Sequence, residues 1–368
     1  MAGLYVHIPY CHSKCAYCDF YSVANTLSIS QFLPAITNEW HKRCSEIDKN
    51  DIKTIYFGGG TPSILSPSQF ELIASVFPKD KLEEFTIEVN PEDVSADAVR
   101  IWRRSGVNRV SMGVQSLVDS ELRFIGRRHD ATKALDAISI LKDGGISNIS
   151  CDLIYGLPLQ TCQSWQYSLE KLLEQNIQHL SAYCLSYEEG TRLYRMLAKG
   201  KIAECDDNLI SEMYGVLCKV AKAHLMEHYE ISNFAMPGMY SRHNSAYWNS
   251  TPYLGLGPGA HSMDSNGFRR YVPADVKAYI NSLGLTVVED MEDEIDKLND
   301  IILTGLRTAI GVDLSKFTEA QKERIIILAD SYLRKGMVVC DGSTMKITEE
   351  SWLLSDAIIR DLFFERDC

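Results

Sequence analysis

The stretch Tyr5-Val6-His7-Ile8-Pro9-Tyr10-Cys11-His12-Ser13-Lys14-Cys15-Ala16-Tyr17-Cys18-Asp19-Phe20 sets three cysteines, spaced C-x3-C-x2-C, directly behind a short apolar run at residues 4–8. The run reads as a strand, and Pro9 ends it because proline cannot donate to a sheet ladder. The cysteines therefore fall on a loop at a strand's C-terminal end, where the ligand sites of α/β folds gather. Three close thiolates suit a soft metal or an iron–sulfur cluster. A structural zinc site normally closes with four ligands. No fourth Cys or His follows Cys18 at finger or ribbon spacing, and His12 is pinned inside the loop. A [4Fe-4S] cluster on three thiolates leaves one iron open to a further ligand, and so to chemistry. Zinc and a chance group of cysteines are the competing readings, weaker on ligand count and on the tightness of the spacing.

Outward from that loop, strand-like runs alternate with amphipathic stretches as far as residue 185. The strands are 4–8, 54–57, 85–89, 109–113, 149–155 and 179–185. Residues 30–47, 66–76, 95–104, 132–143 and 162–175 read as helices, with Ser66, Ser95 and Thr161 at N-cap positions. This alternation predicts a parallel sheet with right-handed crossovers. Six units without a seventh and eighth predict an α/β fold, an incomplete (βα)6 TIM-like barrel.

The strand ends carry polar residues. Gly58-Gly59-Gly60-Thr61-Pro62 follows the second strand; such a run lets backbone amides approach a ligand, and it equally makes a tight turn. It is no phosphate loop, since no Gly-Lys-Ser/Thr follows. Glu88, in Glu88-Val89-Asn90-Pro91-Glu92, is a charge in an apolar strand, either paired or functional or a solvated edge residue. Gln115 ends the fourth strand and can both donate and accept. Arg127, in Gly126-Arg127-Arg128-His129, suits a carboxylate. Asp152 is a second lone carboxylate in an apolar strand.

Past residue 185 the alternation stops. Residues 192–201 and 208–228 read as helices and 229–234 as a strand. Ser241-Arg242-His243-Asn244-Ser245-Ala246-Tyr247-Trp248-Asn249 then unites an imidazole, an amide and two large aromatics. That surface suits a flat apolar ring carrying a metal; the alternative is a structural loop whose histidine is satisfied internally. The glycine-rich run from Tyr253 to Ser262 lacks a strand–turn–helix context and contains Pro258, so it is no dinucleotide fingerprint. It reads as a turn packed on the barrel mouth. Beyond residue 290, helices at 293–308, 314–317, 319–335 and 351–364 flank short strands at 337–340 and 344–347, with Asp341-Gly342 at the turn. The expected division is a barrel at 1–190, an accessory region at 191–289 and a small mixed α/β, winged-helix-like C-terminal domain at 290–368.

Composition bounds the function. The 368 residues are 45% hydrophobic and the mean hydropathy is −0.13, values of a globular chain with a full core. A net charge of −12 argues against a broad nucleic-acid-binding face. No apolar run approaches the roughly 18 residues that span a bilayer. No basic segment precedes Leu4, so no secretory leader is expected, and the 11 cysteines are expected to be reduced in the cytoplasm. Outside the motif, Cys44, Cys151, Cys162, Cys184, Cys205, Cys218, Cys340 and Cys368 lack metal spacing.

C-x3-C-x2-C with an aromatic before the third cysteine resembles the radical S-adenosylmethionine (SAM) superfamily. The longer string Y-V-H-I-P-Y-C resembles the oxygen-independent coproporphyrinogen III oxidase family within it. The resemblance extends through most of the chain and implies the same incomplete barrel. It further implies a [4Fe-4S] cluster on Cys11, Cys15 and Cys18, and a SAM pocket of Tyr5, Gly59, Gly60, Thr61, Glu88, Gln115, Arg127 and Asp152. In that pocket the glycine loop takes the methionine amino group and Glu88 the ribose hydroxyls, while Tyr17 and Phe20 shield the cluster. Phe20 stands where the oxidase has a further cysteine, and the oxidase's N-terminal extension is expected to be absent. The motif C-x3-C-x2-C-D-F, the H-N-x-x-Y-W run and G-L-G-P-G-A-x-S resemble instead the family's haem chaperone branch, whose members bind haem and pass it to acceptor haemoproteins. That branch implies haem as ligand, with His243 as its axial residue. It also implies a haemoprotein acceptor and an electron donor such as flavodoxin or ferredoxin, and it leaves peripheral membrane contact open. Radical oxidative decarboxylation of coproporphyrinogen III is the other reading of the same residues.

Overall fold

The computed structural model describes residues 1–366, so Cys368 lies outside the described residues. Six parallel strands lie side by side in chain order: β1 (Ala2–Ile8), β2 (Ile52–Gly59), β3 (Glu84–Val89), β4 (Arg109–Gln115), β5 (Asn148–Tyr155) and β6 (His179–Cys184). Helices Ile29–Arg43, Pro67–Ala74, Ala96–Arg104, Ala131–Asp143 and Cys162–Leu173 connect them. The N-caps fall at Ser66, Ser95 and Thr161, each accepting a bond from a first-turn amide. Without such a cap those amides would be unpaired. The sheet runs on past β1 and β6 without closing, so the architecture is an incomplete barrel.

Side chains alternate along these strands. Leu4, Val6 and Ile8 of β1, Phe85, Ile87 and Val89 of β3, and Val110, Met112 and Val114 of β4 are buried in the apolar core. The helices bring Phe32, Ile36, Trp40, Phe70, Trp102, Leu141 and Trp165 to the same core. The intervening residues are polar: Tyr56, Glu88, Arg109, Ser111, Asp152 and Ser181 all line one internal cavity. A period of two places the two sets on opposite faces. Closed eight-stranded barrels normally fill their interior with branched aliphatic side chains. Here the inner face is hydrophilic, which an interior built to hold a polar ligand requires.

Several expectations need correction. Residues 208–228 are not one helix: it ends at Ala223, and His228 lies in strand β7 (Glu227–Glu230), which pairs antiparallel with β8 (Asn233–Ala235). Leu225, at φ +61°, makes the break. The expected single strand at 229–234 is this hairpin. The H-N-x-x-Y-W segment is a short helix, Arg242–Trp248, capped by Ser241. The glycine-rich segment is more than a turn, because it contains β9 (Tyr253–Leu256), which pairs parallel with β1 from Gly3↔Tyr253 to Val6↔Leu256. Strands β10 (His261–Met263), β11 (Arg269–Tyr271) and β12 (Val288–Asp290) extend that edge. A four-residue strand with Gly255 inside it carries too little alternation to be seen in sequence.

In the C-terminal part, helices Glu294–Leu306, Glu319–Arg334 and Ser355–Asp361 accompany a three-stranded sheet of β13 (Val312–Asp313), β14 (Val338–Asp341) and β15 (Thr344–Ile347). Residues 314–316 form a single 3-10 turn rather than an α-helix. This unit meets the barrel where His228 stacks on Phe234, 3.9 Å between ring centres, and takes the edge of Trp352 at 4.1 Å. No helix among the described residues is long and apolar enough to cross a membrane.

One buried ion pair ties the first helix to the late glycine-rich segment. Glu39, fully buried, accepts from Arg43 Nη1 at 2.7 Å, from the Gly257 amide at 2.9 Å and from the Tyr279 hydroxyl at 2.7 Å. Arg43 donates onward to the Gly255 carbonyl and to Ser262 Oγ. Arg43 also holds Glu46 through Nε and Nη2, so Glu39→Ala keeps the charge balanced but leaves Nη1, the Gly257 amide and the Tyr279 hydroxyl short of a partner, at a cost of about 2 kcal/mol. The urea midpoint of the variant should fall accordingly; a loss below about 1 kcal/mol would show that the pair is solvated.

Candidate functional site

The site is built at the C-terminal ends of the parallel strands. After β1 the chain turns at Pro9 into the cysteine loop. Val23 N donates to the Pro9 carbonyl, Cys11 N to the Val23 carbonyl, and Ala16 N to the Ile125 carbonyl. After β2 the glycine loop lies against this loop: Gly60 N donates to Ile8 O at 2.9 Å and Thr61 N to Tyr10 O at 2.7 Å. A Cβ on Gly60 would sit 2.7 Å from both carbonyl oxygens, and one on Gly59, at φ +101°, would sit 2.4 Å from the His7 ring. Only glycine allows this approach.

One cavity of about 470 Å³ opens between these loops. Cys11, Cys15, Cys18, Tyr5, Gly59, Gly60, Thr61, Glu88, Gln115, Arg127 and Asp152 all line it. The three cysteines and all eight residues expected around SAM thus meet in one place. Cys11 Sγ lies 3.3 Å from Thr61 Oγ1 and Cys15 Sγ lies 3.4 Å from Arg127 Nη1. Burial pushes the Cys11 thiol up, and burial with the neighbouring Cys15 pushes Cys18 to about 11. His12 is exposed and does not line the cavity. Tyr17 packs against the Ile125–Ile154–Leu157 cluster beside the cysteines. Phe20 lines the mouth but is 66% exposed, so it shields less than expected.

The polar groups are held by one another. Glu88 accepts from Tyr56 Oη at 2.8 Å and from Gly59 N at 3.1 Å. Burial, reinforced by the charge of Asp152, still lifts its carboxyl to about 7. Asp152 is held by Ser111 Oγ, and burial raises it too. Arg127 donates to Asn90 Oδ1 at 2.5 Å and to the Gly113 carbonyl at 2.7 Å. Burial works against its charge, but Tyr17 and Cys15 more than offset this. Its neighbour Arg128 points away and pairs loosely with Glu92. Gln115 is in the left-handed region, φ +68°, at a bulge where β4 skips a partner on β5. A non-glycine residue there is strained, and such strain concentrates at binding sites.

His243 does not join this group. It is buried, absent from the cavity wall, and both ring nitrogens are taken: Nδ1 by Thr54 Oγ1 at 2.8 Å and Nε2 by Tyr247 Oη at 2.9 Å. The expectation of an axial ligand is corrected on this geometry, because both ring nitrogens are taken by hydrogen bonds within the fold. The run reaches the cavity through Asn244 instead. Residues that the sequence reading passed over are Tyr56, Asn90, Arg109, Ser111, Ser181 and Tyr183. Most share the inward register of Glu88 and Asp152, and that alternation was the signal that pointed to them.

The buried ring of His243 makes a pH prediction. Burial holds it at about 3, below the 6.5 of an exposed imidazole. The unfolded chain therefore takes up this proton below pH 6.5 while the folded chain does not. Stability from the neutral ring is complete above pH 6.5 and is lost as pH falls. At pH 7.5, His243→Asn should lose about 2 kcal/mol through unpaired Thr54 and Tyr247. That gap should narrow by about 1.4 kcal/mol per pH unit below 6.5, close near about pH 5 and reverse below it. Denaturation curves showing a pH-independent gap would contradict the buried neutral ring.

Known proteins resemble this chain along most of its length. The Radical SAM superfamily model matches residues 5–172. A heme chaperone HemW of Bacillus subtilis is 33% identical, and the alignment covers 97% of this chain and 98% of that one. The mitochondrial radical S-adenosyl methionine domain-containing protein 1 of Bos taurus is 32% identical, with 95% and 89% covered. Among solved structures, the Escherichia coli coproporphyrinogen III oxidase HemN superposes with a TM-score of 0.83 at 22% identity, covering 98% of this chain and 90% of that chain, a likeness of fold. The chain belongs to the heme chaperone HemW family of the radical SAM superfamily.

Proposed function

We propose that this protein is a haem chaperone, which binds haem and hands it to an acceptor haemoprotein, and that it carries a [4Fe-4S] cluster with SAM. The observation that carries this reading is the end-to-end likeness to proteins named heme chaperone HemW. The fold likeness to the oxidase transfers no activity.

The residues present fit the cofactors. Cys11, Cys15 and Cys18 are soft thiol donors on one loop facing one cavity. Among the described residues no three Cys, His, Asp or Glu converge tightly enough for a single metal ion; a multi-iron cluster needs separated anchor points. Arg127, beside Cys15, offers a fixed cation to a carboxylate. Glu88 offers two acceptor oxygens to a diol, with Tyr56 and Gly59 fixing its plane. Gly59, Gly60 and Thr61 offer backbone close to the cysteines, Gln115 a donor and acceptor, Asp152 an acceptor, and Tyr5 a ring wall. When bound, the reduced cluster supplies an electron for cleavage of the sulfonium bond of SAM. The chain itself positions, excludes water and balances charge. The reading places the protein in the cytoplasm with an electron donor of the flavodoxin or ferredoxin kind.

Anaerobic reconstitution should load about four irons per chain, and Cys11, Cys15 and Cys18 all changed to Ala should load none; full retention sinks the cluster. On the reconstituted protein, Glu88→Ala and Arg127→Ala should each weaken SAM binding about ten- to a hundredfold by calorimetry; unchanged affinity in both rejects the pocket. Haem should give a Soret band that survives His243→Asn and that fades when an apo-haemoprotein is added. No Soret band, together with turnover of coproporphyrinogen III, would make the protein an oxidase.

A further inference from the structure

Arg109 opens β4 and faces into the barrel, where it lines the same cavity although only 1% exposed. Its Nε and Nη1 are buried without a hydrogen-bond partner. Thr86, its register neighbour on β3, has an equally buried and unpartnered Oγ1. The polar groups nearby are already committed. Glu88 is held by Tyr56 and Gly59, and Asp152 by Ser111. His179 is bonded to Ser150 and Tyr229, and His243 to Thr54 and Tyr247. Both imidazoles are held neutral by burial first and by the charge of Arg109 second, and an imidazole carries no negative charge in either protonation state, so neither balances the guanidinium. A guanidinium has five donors and no acceptor, and its planar fork matches a carboxylate. Leaving such a fork buried and unpaired is costly, and proteins keep costly polar groups where function uses them.

We infer that Arg109 is the recognition group of a second ligand site, deeper in the barrel than the residues assigned to SAM, which takes a carboxylate carried into the cavity. A singly charged carboxylate fits better than a phosphate, because one cation here faces two carboxylates, Glu88 and Asp152, that already sense its charge. Tyr183 lines the same cavity and brings a neutral hydroxyl to complete the binding. The inference does not depend on the haem reading. Two carriers share the chemistry: a porphyrin side-chain carboxylate and a small free acid.

The test compares wild type, Arg109→Met and Arg109→Lys in the full-length reconstituted protein. A structural arginine would destabilise the fold when removed. An unpaired one, removed for an apolar chain of similar length, leaves the fold as stable or more so. Arg109→Met should therefore melt at or above the wild-type temperature without added ligand. Propionate should raise the melting temperature of wild type, only weakly that of Arg109→Lys, and not that of Arg109→Met; propionamide should raise none. Iron content should be unchanged in both variants. Haem and haem dimethyl ester identify the carrier. A tenfold preference of wild type for haem, erased in Arg109→Met, assigns a porphyrin carboxylate. Equal binding of the two, with the propionate effect intact, assigns a small acid. An Arg109→Met protein that melts well below wild type overturns the inference. So does a propionate effect that persists in Arg109→Met, or wild type that favours neither propionate over propionamide nor haem over its ester.

Discussion

The mouth of this barrel depends on a backbone contact. Gly60 and Thr61 donate to the carbonyls of Ile8 and Tyr10, and this brings the loop after β2 onto the loop after β1. No side chain can occupy the space between them, since a Cβ at Gly60 would press on both carbonyls and on the Tyr10 amide. Because Thr61 is held there, its hydroxyl meets Cys11 on one side and Asn90 on the other. Asn90 in turn meets Arg127, and Arg127 meets Cys15. A chain of contacts therefore runs from the glycine loop through β3 and the segment after β4 back to the cysteine loop. Shifting any one loop by the width of a methyl group would open the chain at several points, because close-packed interiors transmit such shifts.

The sequence was informative where residues act through local pattern. The six parallel strands, the three N-caps and the position of the cysteine loop all follow from apolar runs, proline and short-range capping chemistry. Most of the eight residues expected around SAM converge on one cavity because strands of a parallel sheet share one edge, while Arg127, which follows helix Asp119–Phe124, is brought there by its bonds to Asn90, Gly113 and Cys15. What was hidden depends on partners distant in sequence. β9 is a strand only because β1 offers it an edge some 250 residues earlier in the chain. His243 looked available because its own segment is polar and aromatic. Its fate is set by Thr54, on the facing strand, whose hydroxyl takes one nitrogen, and by Tyr247, one helical turn away, which takes the other. Spacing in the sequence could suggest the second partner but not the first.

The polar interior explains why the strands look apolar in sequence yet build a binding chamber. Helix packing stabilises the outer face, and that face contributes the continuous core. The inner face is then free to carry residues that a conventional barrel would not tolerate. Each carboxylate there has a fixed partner: Tyr56 and Gly59 for Glu88, Ser111 for Asp152. Neutral hydroxyl and amide partners blunt the cost of burial without cancelling it, which is why both carboxyls are still pushed upward. A cationic ligand entering between them would relieve that cost, and a sulfonium is such a ligand.

Arg127 and Arg109 mark the two ends of this chamber and differ in how they are treated. Arg127 is bonded by Asn90, Gly113 and Cys15, so its plane is set before any ligand arrives. Preorganisation of that kind favours fast, repeatable recognition of one geometry. Arg109 is buried more deeply than Arg127 and lacks such bonds at Nε and Nη1. Two arginines on one inner face, one fixed and one waiting, distribute positive charge along a cavity whose walls otherwise carry carboxylates. A ligand held at the first leaves the second able to take an anion of its own. The interior therefore presents a cation to a carboxylate at each of two levels, and the rise of β4, roughly 3.3 Å per residue, separates Arg109 from Gly113, whose carbonyl holds Arg127.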